Sequence, residues 1–161
     1  MKNSEIAKVF SEIADLLEMK GENRFKIRAY NQASRTIEQL PVEVEQMVKE
    51  GQSLEEIPGV GEAIAKKTLE LVTTGRLRYY DELKAEFPEG IGALLDIPGI
   101  GPKTAIRLYS ELGVSSIDDL ESAILDGRVA GLPRLGNKAS ENILNQIQAM
   151  RAVVGAKRSI Q

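Results

Sequence analysis

The chain has 161 residues and no Cys, His or Trp, so disulfides, Cys/His zinc sites and thiol- or His-based catalysis are excluded on it. It is 42% hydrophobic and 28% charged, with a formal net charge of −3; it can bury a core, but it lacks the bulk positive charge of many nucleic-acid binders. No apolar run approaches the ~20 residues of a membrane helix, and Met1-Lys2-Asn3-Ser4-Glu5 lacks a hydrophobic signal region; a cytoplasmic protein with no membrane partner is expected.

Ala, Leu, Ile, Glu and Lys dominate and strand formers are sparse, which predicts an all-α fold. Ile6, Phe10, Ile13, Leu16 and Leu17 recur at helical spacing through residues 4–19. Ser4 is the candidate cap, and Ala7 three residues later leaves no capping box. Gly21-Glu22-Asn23 breaks the pattern. A second helix is predicted over 24–38, packing through Phe25, Ile27, Tyr30, Ala33 and Ile37. Leu40-Pro41 ends it, because a residue before proline avoids the helical region. A third helix covers 42–49, with Gly51 as its C-cap. A helical turn at 54–56 precedes a helix over 62–74, closed by Gly75. Its expected buried stripe is Ile64, Ala65, Thr68, Leu69 and Val72. A further helix is expected over 76–86.

Phe87-Pro88-Glu89-Gly90 reads as a connector, which divides the chain into modules 1–87 and 88–150. The second module repeats the plan. It has a short helix near 91–95, then one over 102–112 with Pro102 at its first position and Gly113 at its end. Ser116 caps a helix to about 126, with Asp118 and Asp119 at the positive end of its dipole. A last helix is expected over 137–150. Residues 151–161, with Arg151, Lys157 and Arg158, read as a frayed polar tail.

Three segments share one pattern: Ile57-Pro58-Gly59-Val60-Gly61, Ile97-Pro98-Gly99-Ile100-Gly101 and Leu132-Pro133-Arg134-Leu135-Gly136. Each precedes a helix. Ala65, Ala105 or Ser140 stands four residues after the last glycine, where two helices can approach closely. Glycine permits a sharp turn and close approach by a ligand, and the free amides of the next helix point at an anion. Three such cradles predict a grip on a polyphosphate backbone, DNA in the first place. Neutral amides making the contacts reconcile that grip with the negative net charge. Lys66, Lys67, Arg76, Arg78, Lys103, Arg107 and Lys138 follow the turns, where a phosphate backbone would pass. Arg134 replaces a glycine in the third segment, so DNA contact and plain core packing both stay open there. Among the aromatics, Tyr30 is the first candidate to stack on an exposed base, with Phe25 second. Phe10 and Phe87 read as packing residues. Tyr79-Tyr80 would reach DNA or cover the junction between modules.

The segments resemble the helix-hairpin-helix motif. The resemblance implies DNA contacts without base reading through Gly59, Val60, Gly61, Lys66, Gly99, Ile100, Gly101, Lys103, Thr104, Gly136 and Lys138. It also implies an optional Na+ or K+ held by the backbone carbonyls of Glu55, Ile57 and Val60, and of Leu95, Ile97 and Ile100; no other cofactor is expected.

A narrower resemblance covers most of the chain. Asn23-Arg24-Phe25-Lys26-Ile27-Arg28-Ala29-Tyr30-Asn31-Gln32-Ala33, then Leu40-Pro41, the first hairpin with Lys66-Lys67, and Thr74-Gly75-Arg76-Leu77-Arg78 are similar to the N-terminal domain of family X DNA polymerases, the polymerase-beta-like enzymes. Residues 91–126 resemble the DNA-binding subdomain that follows, and the third hairpin suggests the bacterial branch. The resemblance implies an all-α fold of tandem helix-hairpin-helix modules and binding to gapped or nicked DNA with a 5′-phosphate in base excision repair, with Lys26, Arg28 and Tyr30 added to the contacts. Polymerisation needs metal-binding carboxylates, which in this family lie in a later palm domain. No Gly-Ser paired with an Asp-x-Asp occurs here, so this chain alone is not expected to polymerise DNA. A fragment of a longer enzyme and a stand-alone relative are both open.

In some members the N-terminal domain also removes a 5′-deoxyribose phosphate through a lysine Schiff base. The matching lysine is Lys67, with Lys26 as phosphate holder and Tyr30 lining the pocket. Its amine must be neutral to attack, and Lys66 and the adjacent helix terminus are expected to lower its pKa. Other basic positions of that pocket are Ala63, Glu55 and Tyr79 here, and a carboxylate position is Lys66. Three readings follow: a DNA-binding module, a lyase using Lys67, and a helical adaptor binding protein through its acidic surface.

Overall fold

In the computed structural model, which describes residues 1–160, the described residues form nine α-helices and one 3-10 turn, with no strand. The chain divides into two compact units, with the boundary between Glu86 and Phe87.

The first unit is built on α1 (Asn3–Met19) and α2 (Arg24–Gln39), which pack along their lengths. Ile6, Phe10, Ile13, Leu17 and Ile37 are fully buried, as the helical spacing predicts. Burying each such side chain contributes about 1.5–3 kcal/mol. Ser34 Oγ donates to the Ala7 carbonyl at 2.6 Å, so the buried hydroxyl is satisfied. Ser4 does not cap α1. The helix starts one residue earlier, and the Glu5 carboxylate accepts from the Lys2 backbone N–H at 3.1 Å. Asn3 instead ties α1 to the start of α3 (Val44–Lys49): its Nδ2 donates to the Val42 carbonyl at 2.9 Å and its Oδ1 accepts from Val44 N–H at 2.7 Å. Asn23 caps α2 by accepting from Phe25 N–H at 2.7 Å.

The 3-10 turn Leu54–Glu56 leads to the first hairpin, α4 (Glu62–Thr74) and α5 (Arg78–Ala85). The buried stripe of α4 is Ile64, Ala65, Thr68 and Leu71. Leu69, expected inside, is 45% exposed, because Leu71 continues the 64–68 row by a further turn and Leu69 lies beside it.

In the second unit, α6 (Glu89–Leu95), α7 (Pro102–Leu112), α8 (Ile117–Leu125) and α9 (Asn137–Ile160) follow the expected order. Ile91, Leu94, Ile97, Leu108, Leu120 and Ile147 form the core. Ser116 Oγ accepts from Asp119 N–H at 3.0 Å, as expected of the cap. The last helix does not stop at Met150. Arg151, assigned to a frayed tail, reaches α8 with Nη1 2.9 Å from Glu121 and Nη2 against Asp118, which extends helical order past that point. The side chains of Lys157 and Arg158 lie outside the described residues.

Candidate nucleic-acid interface

The three hairpins have one backbone shape. Gly59, Gly99 and Arg134 occupy the left-handed region at φ +80°, +92° and +70°. After each, an amide closes the turn: Val60 N to Ile57 O at 3.0 Å, Ile100 N to Ile97 O at 3.1 Å, and Leu135 N to Leu132 O at 3.1 Å. The following helices start alike, with Ala65, Ala105 and Ser140 donating to Gly61, Gly101 and Gly136 at 2.8, 2.9 and 3.0 Å. The first-turn amides ahead of those donors have no intrahelical partner, Pro102 carrying no N–H. Ile57, Val60, Ile97 and Ile100 are buried and pin the first two turns, whereas Leu132 and Leu135 are half-buried.

The closing glycines separate fold from ligand. Gly61 and Gly101 have φ −85° and −92°, which any residue adopts. At Gly61, Gly101 and Gly136 a Cβ would meet nothing within 4 Å. The fold does not require glycine there; the missing side chain leaves space open beside the helix N-terminus.

Most basic side chains near the hairpins are paired. Lys66 lies 3.3 Å from Glu62, Arg76 3.3 Å from Asp81, Arg78 2.9 Å from Glu82 and Arg107 3.0 Å from Glu111. Within the second unit, a cleft of about 470 Å³ lies between the tip of hairpin two (Pro98, Gly99, with Thr104) and the third hairpin's Leu135 and α9. Ala139, Asn142, Asn145 and Gln146 of α9 face it. The sequence pattern singled out none of these amides, since a helical Asn or Gln reads as ordinary surface.

The first unit gathers Lys26, Tyr30 and Lys67 around Tyr79. Lys67 Nζ is 4.8 Å and Lys26 Nζ 5.6 Å from the Tyr79 ring centroid. Tyr30 stacks on the same ring, with centroids 6.1 Å apart and planes at 11°. Burial, then the Lys26 charge, lowers the Lys67 amine below the ordinary lysine value, with Glu70 opposing. Burial, then Tyr79, holds the Tyr30 phenol far above its usual value. Lys66 is not among the causes at Lys67: it sits on α4 toward Glu62, and the neighbouring charge comes from α2 instead.

One expectation for the aromatics is corrected. Tyr30 is 4% exposed, held between Phe10 (5.9 Å) and Tyr79, and offers no open face to a base. Phe25, at the start of α2, is 75% exposed. Tyr80 is half-buried; its hydroxyl donates to Glu12 and Lys84 Nζ sits 4.4 Å from its ring centroid. Arg28 is exposed on α2.

Comparison with known proteins matches two segments of the chain. Residues 1–77 match a helix-hairpin-helix domain model, and residues 91–149 match a SAM-like helix-hairpin-helix tandem. The chain is 31% identical over 147 residues to the DNA polymerase/3′-5′ exonuclease PolX of Bacillus subtilis, covering 91% of this chain and 25% of that protein. It is 28% identical over 146 residues to DNA polymerase lambda of Arabidopsis thaliana, covering 90% and 26%. The Holliday junction branch migration complex subunit RuvA of Acidovorax is 28% identical over 102 residues, covering 63% and 54%. The chain thus spans about a quarter of the length of the two polymerases. Among the described residues, no helix is long and apolar enough to cross a membrane.

Proposed function

Because the chain is a helix-hairpin-helix protein carrying the N-terminal modules of a family X DNA polymerase, we propose that it binds DNA without base reading and prefers gapped or nicked repair intermediates with a 5′-phosphate. The observation that carries the reading is the open space at Gly61, Gly101 and Gly136, where folding does not require glycine and a closely approaching phosphate would. Backbone amides of α4 in the first unit meet phosphates, and so do those of α7 and α9 in the second, with Lys103, Thr104 and Lys138 beside the latter two. A Na+ or K+ would lie among the carbonyls of Glu55, Ile57 and Val60, or of Leu95, Ile97 and Ile100; Ile57 and Ile97 each accept one amide and keep a second lone pair. Phe25 takes the stacking role against an unpaired base at the gap. A role in base excision repair follows from that substrate.

The test is fluorescence anisotropy with a gapped, 5′-phosphorylated duplex beside an intact one, across a salt series. Tighter binding to the gap supports the reading. Equal affinity removes its gap-specific part, and no salt-dependent binding removes DNA as partner.

The depressed amine of Lys67 favours a second reading, a 5′-deoxyribose-phosphate lyase. The neutral amine adds to the sugar aldehyde and water leaves, giving a Schiff base. Loss of a C2 proton then breaks the C3–O bond to the downstream phosphate. Borohydride trapping on such a substrate, with Lys67→Ala alongside, tests it: an adduct absent from the variant supports the lyase, and no adduct despite binding leaves a non-catalytic clamp.

A further inference from the structure

We infer that Tyr79 is a positioning residue, whose ring gathers Lys26 and Lys67 into one dicationic pocket for a phosphate-terminated strand end. The inference rests on the proposed gap-binding reading and assigns that pocket's organiser. Lys26 comes from α2, Lys67 from α4 and Tyr79 from α5, so the ring joins lysines from two other helices.

Two ammonium groups brought together repel, and after burial the Lys26 charge is what lowers the Lys67 amine. An aromatic face attracts cations through its quadrupole within about 6 Å of the centroid, and both amines lie inside that range. The ring is itself fixed. It stacks on Tyr30, which is 4% exposed and touches Phe10 in the core. The chain of contacts therefore runs from the α1–α2 core through Tyr30 and Tyr79 to two amines. Other charged groups nearby are Glu70, which favours protonated Lys67, and Lys20, which is paired with Glu86 and Glu22. A phosphate monoester between Lys26 and Lys67 would replace the ring's partial compensation by full charge compensation.

The experiment compares the unmodified chain with Tyr79→Phe, Tyr79→Leu and Tyr79→Met. The Lys67 amine is titrated by NMR without DNA, and affinity is measured for gapped duplexes ending in 5′-phosphate or 5′-hydroxyl. Leu and Met keep apolar bulk without a π-face, so each should lower the Lys67 midpoint by about half a pH unit and abolish the preference for 5′-phosphate. Phe should restore both. An unchanged or raised midpoint in the folded Leu or Met variant would overturn the inference, as would a retained phosphate preference or failure of Phe to restore it. If the unmodified chain shows no phosphate preference, the gap reading fails, while the titration still decides whether Tyr79 holds Lys67.

Discussion

Gly59 and Arg134 occupy the same left-handed position in their hairpins, at φ +80° and +70°. An L side chain in that region costs roughly 1–2 kcal/mol, yet the third hairpin keeps the turn. Arg134→Gly should raise the thermal stability of the second unit by up to about 1 kcal/mol, after the greater chain entropy that glycine loses. The same change removes an exposed cation from the tip, so the slope of log affinity against log salt should fall by up to about 1. Lower stability in the variant would mean that contacts of the arginine outweigh its backbone strain.

Gly59 and Gly61 lie two residues apart and should respond in opposite ways. Alanine at 59 must accept φ +80° and place its Cβ 3.0 Å from Gln32 Nε2; about 1–2 kcal/mol of stability should be lost. Alanine at 61 finds an ordinary φ and open space, so stability should stay within about 0.5 kcal/mol of the parent. Its methyl group would nevertheless stand where a phosphate approaches, and DNA affinity should fall roughly tenfold. Urea denaturation paired with anisotropy reads both. Unchanged DNA affinity in folded Gly61→Ala would remove the hairpin from the interface.

Hairpins, helix order and most caps were legible because each is local: Pro102, Gly75, Gly113 and Ser116 act within a few residues of themselves, whereas Ser4 proved not to cap α1. Less legible were features made by residues distant in sequence. Leu69 looked like part of an apolar stripe, and only the packing of α4 shows Leu71 in that place. Tyr30 was readable as a flat ring, but its burial depends on Phe10 and on Tyr79, 49 positions away in the chain. Lys67 was found by spacing from the hairpin, whereas the charge acting on it comes from Lys26 on another helix. The extension of α9 was hidden because its anchor, Arg151 on Asp118 and Glu121, is a tertiary contact in a segment of polar composition.

Asn3 tests how the first unit is tied together. Its side chain accepts from Val44 N–H and donates to the Val42 carbonyl, and it is 6% exposed. Asn3→Ala strands a buried amide and should cost about 1–3 kcal/mol. Thermal melting should show that loss, and a smaller one for Asn3→Asp, which still accepts from Val44. A melting temperature equal to the parent's would mean that water replaces the bridge.

The Lys67 amine gives stability a pH dependence of defined sign. Its pKa is lowered in the folded chain, so the unfolded chain binds the extra proton more readily. Charged Lys67 therefore opposes folding at neutral pH. The opposition fades as pH rises from the lowered folded value toward the unfolded value near 10.5, and stability should increase across that interval. Lys67→Met keeps the apolar stem and removes the charge. It should melt at a higher temperature than the parent at pH 7, with the difference shrinking as pH approaches 10.5. Melting curves from pH 7 upward, corrected for the lysines common to both chains by subtracting one profile from the other, isolate this group. A difference that stays constant with pH would assign the effect to packing of the stem, and a difference of opposite sign would show that the contact with Tyr79 outweighs burial and the Lys26 charge.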